Sequence, residues 1–189
     1  MDYALNTTPR PPAGFVLWLT GLPASGKTTL GEGLQAALSG RGYPVELLDG
    51  DQIRAGLSND LGFSPADHRR QGQRVAFVAK LLARNGVAVI VPLISPYRDV
   101  REAARAQIER FVEVWVRCPI EECIRRDPKG MYAKALRGDL PDFTGVSAPY
   151  EEPDHAEVVV DTAERPWSDC VEEILRAVGQ AGYLVSERD

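Results

Sequence analysis

The sequence lacks any apolar run approaching the roughly 20 residues that a membrane-spanning helix requires. Its first 14 residues hold neither a basic cluster nor an apolar segment, so residues 1–14 are predicted to be a flexible leader rather than a secretory signal. Only three cysteines and two histidines occur among the 189 residues, and no two cysteines form a C-x-x-C pair. A zinc site and a disulfide framework are therefore not expected, and free thiols favour a cytoplasmic location.

The chain is also short of positive charge. Lysine and arginine total 22 against 27 acidic residues, which gives a formal net charge of −5. General nucleic-acid binding usually relies on a basic face, so no nucleic-acid partner and no membrane partner are expected. The charge is uneven, however, because residues 125–137 carry five basic side chains against one acidic, and residues 151–173 carry nine acidic against one basic. Local positive charge of this kind is compatible with a small anionic ligand.

Five apolar runs alternate with segments of helical periodicity. The length predicts a single domain, which we place at residues 15–189. The runs predicted as strands cover residues 15–20, 43–49, 87–95, 111–117 and 157–161, with helices between them and a last helix over 167–178. This alternation predicts an α/β fold, in which helices flank both faces of a parallel sheet.

A phosphate-binding pattern follows the first predicted strand. Gly21-Leu-Pro-Ala-Ser-Gly26-Lys27-Thr28 fits G-x-x-x-x-G-K-[ST] and opens a helix, as in a P-loop NTPase. Glycines let backbone N–H groups surround phosphate oxygens, Lys27 is expected to reach the β- and γ-phosphates of ATP, and Thr28 to hold Mg²⁺. The predicted ATP- and phosphate-binding residues are Gly21, Leu22, Pro23, Ala24, Ser25, Gly26, Lys27, Thr28, Thr29 and Arg126.

Residues 127–153 interrupt the strand–helix pattern. The segment has little sheet-like patterning, contains Lys129, Lys134 and Arg137, and directly follows Arg125 and Arg126. We interpret it as a basic lid that folds over a phosphate-rich pocket and excludes water, as a kinase requires. A solvated charged loop is the alternative.

Polar residues end the second and third predicted strands. Asp49-Gly50-Asp51 lies at the edge of the sheet where ligands bind in open α/β folds, and Arg54 follows one helical turn later. One of these carboxylates suits a role in orienting a substrate hydroxyl and accepting its proton. Ser95 ends the third strand at the same edge. A simple turn at the two aspartates and a helix cap at Ser95 are the alternatives.

These and longer motifs resemble the adenylyl-sulfate (APS) kinase family. They occur in the family's order, cover about residues 15–162 together with the P-loop, and read Leu48-Asp49-Gly50-Asp51, Asp60-Leu61-Gly62-Phe63-Ser64, Ile94-Ser95-Pro96-Tyr97-Arg98, Arg126-Asp127-Pro128-Lys129-Gly130-Met131-Tyr132, Phe143-Thr144-Gly145 and Pro149-Tyr150-Glu151. The resemblance implies a P-loop kinase that transfers the ATP γ-phosphoryl group to the ribose 3′-hydroxyl of APS. The product would be PAPS, in sulfate assimilation.

The resemblance also implies roles for matching residues. Its catalytic set is Lys27, Asp49, Asp51 and Ser95, and its Mg²⁺ ligands are Thr28 and, through water, Asp49. Its acceptor-binding set is Asp51, Arg54, Phe63, His68, Gln71, Ile94, Ser95, Lys129 and Phe143. Phe63 and Phe143 are similar to two rings that sandwich the acceptor adenine. Ser95 matches a serine that is phosphorylated in some members, and we favour a direct ligand contact over a covalent intermediate. A homodimer and a functional link to ATP sulfurylase are implied as well.

One block departs from the family pattern. Where the family usually has Asp-Arg-x-x-Asn-Ile-Arg-Arg, residues 67–74 read Asp-His-Arg-Arg-Gln-Gly-Gln-Arg, so that His68 replaces an arginine and Gln71 an asparagine. Arg69 and Arg70 do not simply replace the lost charge, since one residue turns a helical side chain by about 100°. Two alternatives to APS kinase therefore stay open. One is a relative that phosphorylates another acceptor, such as a cytidine diphosphoramidate, and the other is a non-catalytic nucleotide-sensing module.

Overall fold

Five parallel strands form the centre of the protein, for which a computed structural model describes residues 13–184. The strand order is β2-β3-β1-β4-β5, so β1 lies between the two halves of the sheet. The strands are β1 (Val16–Thr20), β2 (Val45–Leu47), β3 (Ala88–Pro92), β4 (Phe111–Arg117) and β5 (Val158–Asp161). β1 and β3 are buried throughout, as expected of strands covered on both faces.

Helices cover both faces of the sheet. They are α1 (Lys27–Gly40), α2 (Gly50–Gly56), α3 (Pro65–Ala83), α4 (Arg98–Gln107), α5 (Ile120–Arg126), α6 (Met131–Leu136) and α7 (Trp167–Gln180). One core lies between the sheet and α1 with α7, and the other between the sheet and α3 with α4. α3 and α4 approach closely at Gly72, where a Cβ atom would lie 2.2 Å from Val100 Cγ1. The predicted α/β fold is confirmed.

Local sequence explains where α2 and α3 begin. α2 starts after Asp49, whose Oδ1 accepts hydrogen bonds from the N–H groups of Asp51 and Gln52. α3 starts after Ser64, whose Oγ accepts from the Asp67 N–H, with Pro65 in the first helical position. These caps fix the direction in which both helices leave the edge of the sheet.

The predicted boundaries differ from the observed ones at several elements. The second strand is shorter than 43–49 because Asp49 already serves as a helix cap. The helix expected between the third and fourth strands begins at Arg98, and it ends at Gln107 because Ile108 takes an extended conformation. The predicted leader, residues 1–14, lies outside the described residues except for its last two, and Gly14 donates its N–H to the Ala83 carbonyl at 2.9 Å.

The segment 127–153 has more structure than its sequence predicts. It contains α6, and its Tyr132 is fully buried against Cys118 and Cys123. The Tyr132 hydroxyl donates to the Pro23 carbonyl at 3.1 Å, which ties the segment to the P-loop. The weak sheet-like patterning of the segment gave no sign of this buried residue, because Tyr132 packs on distant parts of the chain.

Across the described residues 13–184, no helix is both long enough and apolar enough to traverse a membrane.

Candidate active site

A cleft of about 800 Å³ opens at the carboxyl edge of the sheet. The loops after β1, β2 and β3 and the segment 127–153 surround it. The predicted site residues that line it are Pro23, Ala24, Gly26, Lys27, Thr28, Thr29, Asp49, Asp51, Arg54, Phe63, His68, Gln71, Ile94, Ser95, Arg126, Lys129 and Phe143. The fold thus brings the predicted phosphate-binding and acceptor-binding residues together in one cavity.

The P-loop wraps around the amine of Lys27. Lys27 Nζ donates to the carbonyls of Gly21 at 3.0 Å and Leu22 at 2.7 Å, and to Ser25 Oγ at 3.3 Å. Three predicted phosphate-binding residues do not line the cleft, namely Gly21, Leu22 and Ser25. In this structure they contact the Lys27 amine instead. Gly26 has φ 94°, in the left-handed region that favours glycine, and it directly precedes α1.

Burial makes the Lys27 ammonium easier to deprotonate than that of an exposed lysine. Its side chain is almost inaccessible, and this burial lowers the pKa of Lys27 to about 8. The N-terminal end of α1 points its free N–H groups toward the same space. A buried ammonium beside a helix N-terminus makes this end of the cleft a binding place for anionic phosphate.

Thr162 and Arg126 form the outer wall of the P-loop. The Thr162 hydroxyl donates to the Ser25 carbonyl at 2.7 Å, and Arg126 Nη2 donates to the Thr162 carbonyl at 2.6 Å. Arg126 Nε also bonds Glu122 Oε1 at 2.8 Å. Sequence reasoning missed the role of Thr162, although its position just after β5, at the ligand-binding edge, was a usable signal.

The two aspartates after β2 have different surroundings. One carboxylate oxygen of Asp49 accepts the hydrogen bonds that cap α2. The side chain of Asp51 is 74% exposed and forms an ion pair with Lys129 of the segment 127–153. Asp51 therefore offers an accessible carboxylate to the cleft, and Lys129 is the group that reaches it from the opposite side.

The start of α3 brings an imidazole next to a guanidinium. Arg54 Cζ lies 4.2 Å from the centroid of the Phe63 ring, and its Nη1 donates to the Gly62 carbonyl. The His68 ring packs edge-on near Phe63 and Tyr97, at centroid distances of 6.4 and 6.0 Å. Burial and the positive charge of Arg54 lower the pKa of His68, which favours the neutral imidazole at neutral pH.

Gln71 lies one helical turn after His68 and is 6% exposed. Within residues 13–184 its amide has no hydrogen-bond partner, although it lines the cleft. A buried amide that faces a cavity is available to a ligand. Gln71 lines the cleft, and the acceptor-binding role expected of it stays a prediction.

Ser95 takes an unusual backbone conformation, with φ 43°. This costs a non-glycine residue about 1–2 kcal/mol, so neighbouring contacts must hold it. Trp18 Nε1 donates to Ser95 Oγ at 3.0 Å, and Arg101 Nη1 donates to the Ser95 carbonyl at 2.7 Å. The serine is thus held in place at the bottom of the cleft.

On the opposite wall, Phe143 lies edge-on to Tyr132, with ring centroids 5.1 Å apart. Phe63 is 53% exposed and lines the same cleft. Two aromatic side chains on different walls give a planar base surfaces on which to stack.

The oxygen ligands predicted for Mg²⁺ are few. Thr28 and Asp49 both line the cleft. In the described part of the chain no group of three or more His, Cys, Asp or Glu residues is arranged to hold a metal ion. Mg²⁺ suits such a place because it usually binds through one or two protein oxygens together with nucleotide phosphates and water.

The arrangement is therefore suited to phosphoryl transfer. A triphosphate on the P-loop would direct its γ-phosphate toward the space in front of Asp51, and a hydroxyl compound between the aromatic walls would meet it there. Sequence reasoning also missed Trp18, Arg101 and Asp142, which are near this space but belong to no short motif.

Comparison with known proteins identifies the family. The chain matches the family described as adenylylsulphate kinase over residues 13–161. The adenylyl-sulfate kinase of Synechococcus sp. (strain JA-3-3Ab) is 47% identical over 171 residues, which cover 90% of this chain and 97% of that protein. The adenylyl-sulfate kinase of Chloroflexus aurantiacus (strain ATCC 29364 / DSM 637 / Y-400-fl) is 45% identical over 181 residues, 96% of this chain and 97% of that protein.

A solved structure agrees with this match. The Mycobacterium tuberculosis APS kinase in complex with AMPPNP and APS superimposes with a TM-score of 0.86 at 38% identity, covering 89% of this chain and 99% of that chain. The match extends over the sheet, the P-loop and the segment 127–153, so the chain belongs to the adenylyl-sulfate kinase family of P-loop kinases.

Proposed function

We propose that this protein transfers the γ-phosphoryl group of ATP to the ribose 3′-hydroxyl of APS and so produces PAPS. The observation that carries the proposal is the single cleft that joins a complete P-loop to an acidic pair and two aromatic walls. Membership of the family and the similarity to an APS kinase that binds AMPPNP and APS support it.

On the phosphate side, Lys27 and the N-terminus of α1 stabilise the negative charge that moves during transfer. Lys27 exchanges its contacts with the loop carbonyls for phosphate oxygens, and its stem is already buried in place. Because the lysine stem and the N–H groups of α1 are in place before ATP binds, only the ammonium has to reorient toward the phosphate.

On the acceptor side, the adenine of APS stacks between Phe63 and Phe143, and Arg54 with His68 faces its anionic groups. Asp51 orients the 3′-hydroxyl and accepts its proton as the oxygen attacks the γ-phosphorus. Ser95 contacts the acceptor directly, since in-line transfer requires positioning and no protein nucleophile.

Thr28 and, through water, Asp49 would hold the Mg²⁺ that accompanies ATP. The ion would supply positive charge beside the phosphate oxygens. The capping role of Asp49 leaves its second carboxylate oxygen for this purpose.

The segment 127–153 acts as a lid over both substrates. It is joined to the P-loop through Tyr132 and to the acceptor side through the Lys129–Asp51 ion pair. Closing it over the cleft excludes water, which would otherwise compete with the acceptor for the γ-phosphate.

Parallel assays of ATP consumption with APS, a CDP-linked acceptor and adenosine test the proposal. We expect APS-dependent ADP release together with formation of PAPS, and no comparable release with the other two compounds. Turnover only with a different acceptor would contradict the APS assignment. Tight ATP binding without turnover on any acceptor would indicate a nucleotide-sensing module.

A different acceptor is the second candidate, because His68 and Gln71 both face the cleft and both depart from the family pattern. A neutral imidazole recognises an oxyanion less strongly than the bidentate guanidinium of arginine. If the pocket is only weakened toward APS, the double substitution His68→Arg with Gln71→Asn lowers the KM for APS. If it is built for another acceptor, that change lowers activity on the native compound.

The pH dependence of acceptor binding is a further prediction. The pKa of His68 is lowered by burial and Arg54, while Asp67 and Asp142 act in the opposite direction. The imidazole therefore gains its proton at a lower pH than an ordinary histidine does, and the proton adds a positive charge that attracts the anionic acceptor. We expect the KM for APS to change little above the ordinary histidine range and to fall as the pH is lowered below it.

Initial-rate measurements at saturating ATP would show this dependence. The His68→Gln variant keeps a polar side chain but loses the titrating group, so its KM for APS stays nearly flat over the same range. An equal pH dependence in the wild type and His68→Gln would assign the effect to another group.

We also propose a homodimer in the cytoplasm, functionally linked to ATP sulfurylase, as the family resemblance implies. Exposed apolar side chains at Leu57 and Phe77, on the α2–α3 side of the molecule, support an association surface. The three cysteines are free and buried, which suits a reducing compartment. Light scattering of the purified chain measures the mass directly.

A further inference from the structure

Arg101 is the largest charged side chain that is buried among residues 13–184. It lies on α4 between the apolar residues Val100 and Ala104, and only 2% of it is exposed. A fully buried arginine needs both a counter-ion and hydrogen-bond acceptors, because removing its charge from water is costly. Its partners therefore indicate what it stabilises.

The charge of Arg101 is balanced by Glu113 of β4. Arg101 Nε donates to Glu113 Oε1 at 2.7 Å. Glu113 Oε2 accepts from Arg105, which in turn pairs with Glu157 near the surface. The ion pair with Glu113 therefore engages only Nε of the guanidinium, so Nη1 and Nη2 are left for other partners.

Those two nitrogens reach the backbone carbonyls of two different segments. Nη1 donates to the Ser95 carbonyl at 2.7 Å, just after β3. Nη2 donates to the Glu151 carbonyl at 2.7 Å, in the last residues of the segment 127–153. The planar guanidinium of Arg101 thus joins the loop that carries Ser95 to the C-terminal end of the segment 127–153, which we call the returning end of the lid.

The contacts around these two points form a single junction. The Glu151 N–H donates to the Pro96 carbonyl at 2.8 Å, and Glu151 Oε2 accepts from the Arg98 N–H at 2.8 Å. The Tyr150 hydroxyl lies 3.0 Å from Thr20 Oγ1 at the end of β1. The lid is therefore fastened at the loops that end two central strands.

The left-handed conformation of Ser95 requires such an anchor. With its carbonyl held by Arg101 and its hydroxyl held by Trp18, Ser95 has a fixed orientation at the floor of the cleft. A lysine in place of Arg101 keeps the positive charge opposite Glu113 but has no planar fork to reach two divergent carbonyls.

We infer that Arg101 is a positioning residue for the acceptor side of the active site, fixing Ser95 and the returning end of the lid together. This role rests on the proposed function, because Ser95 is placed there as an acceptor contact. Arg101 touches neither the P-loop nor the nucleotide end of the cleft, so its influence falls on the acceptor and not on ATP.

Kinetics of Arg101→Lys test the inference, with the acceptor that the wild type phosphorylates. The expected result is a fall in kcat/KM for the acceptor of about 10- to 100-fold, while the KM for ATP changes less than about twofold. A loosened lid also raises the slow hydrolysis of ATP without acceptor. Wild-type turnover of APS in the same series reports separately on the proposed function.

Arg105→Lys is the matched control. Arg105 belongs to the same charge chain and contacts Glu113, but it touches neither Ser95 nor Glu151. We expect both variants to lower Tm by a few degrees and only Arg101→Lys to change acceptor kinetics. Equal kinetic effects in the two variants, or parallel changes in the KM for ATP and for the acceptor, would overturn the positioning role.

A second variant covers the case in which Arg101→Lys does not fold. Arg101→Met combined with Glu113→Gln removes the guanidinium without leaving a buried charge unpaired, and the glutamine still accepts from Arg105. The same loss of acceptor kcat/KM is expected. A value within about twofold of the wild type would also overturn the inference.

Discussion

Replacing Lys27 with alanine is expected to lower kcat by about 10²–10³-fold, the cost of removing one preorganised charge from a phosphoryl-transfer site. Lys27 is the cation at the centre of the P-loop, and its amine contacts the carbonyls of Gly21 and Leu22. Those carbonyls hold the ammonium inside the P-loop until a phosphate replaces them as its partner. No other lysine of the chain lies in the P-loop.

Initial-rate kinetics with ATP and the acceptor check this result. Lys80→Ala, which changes an exposed lysine in the last turn of α3, is the matched control and retains wild-type rates. Because the pKa of Lys27 is about 8, kcat/KM for ATP in the wild type also falls as the pH rises through that value. Near-normal rates in Lys27→Ala would exclude the phosphate role of this lysine.

The P-loop and the strand-end residues could be predicted from the sequence, because their chemistry is encoded in local spacing. Glycines at fixed separations produce the turn that surrounds Lys27. A parallel sheet brings all its carboxyl ends to one edge, so Asp49, Asp51 and Ser95 had to lie near one another once the strands were recognised.

Arg101 and Thr162 could not be found in the same way, since their partners are far along the chain. Arg101 bonds Glu151, 50 residues away, and Thr162 bonds Ser25, 137 residues away. Because α4 carries several charged residues, its sequence predicts that the Arg101 side chain is exposed to solvent. Only the packing of α4 against β4 buries it beside Glu113 and gives it a function.

The segment 127–153 shows both outcomes. Its basic composition drew attention to Lys129, which lines the cleft and pairs with Asp51. Its buried anchor, Tyr132, was not predicted, because the groups against which it packs, Pro23 and Cys118, lie elsewhere in the chain. Tertiary contact with the cysteine-lined cluster beneath the P-loop gives this residue its role.

Replacing Asp51 with asparagine is expected to lower kcat by about 10²–10⁴-fold, because the amide is nearly isosteric but cannot accept the proton of the attacking hydroxyl. Asp51 is the better of the two candidates for this role. Its carboxylate is exposed to the cleft, whereas one oxygen of Asp49 is engaged in capping α2. The measurement is the single-turnover rate at saturating ATP and acceptor, which separates chemistry from product release.

Asp142→Asn provides the matched control for Asp51→Asn. Asp142 is an exposed aspartate that lines the same cleft, and its positive φ of 55° is tolerated by asparagine. The control removes the same negative charge from the same cavity, so it reports the general electrostatic effect and is expected to change kcat by less than about threefold. Equal losses in both variants would show that charge, and not proton acceptance at Asp51, limits the rate.

Asp49→Asn completes the comparison, because it separates the proton acceptor from the metal ligand. Asparagine is as good a helix cap as aspartate, so α2 is expected to stay intact and Tm to change little. The variant should need more Mg²⁺ to reach its maximal rate, while Asp51→Asn should keep the wild-type Mg²⁺ requirement and lose the rate itself. If raising the Mg²⁺ concentration restored Asp51→Asn instead, the roles of the two carboxylates would be reversed.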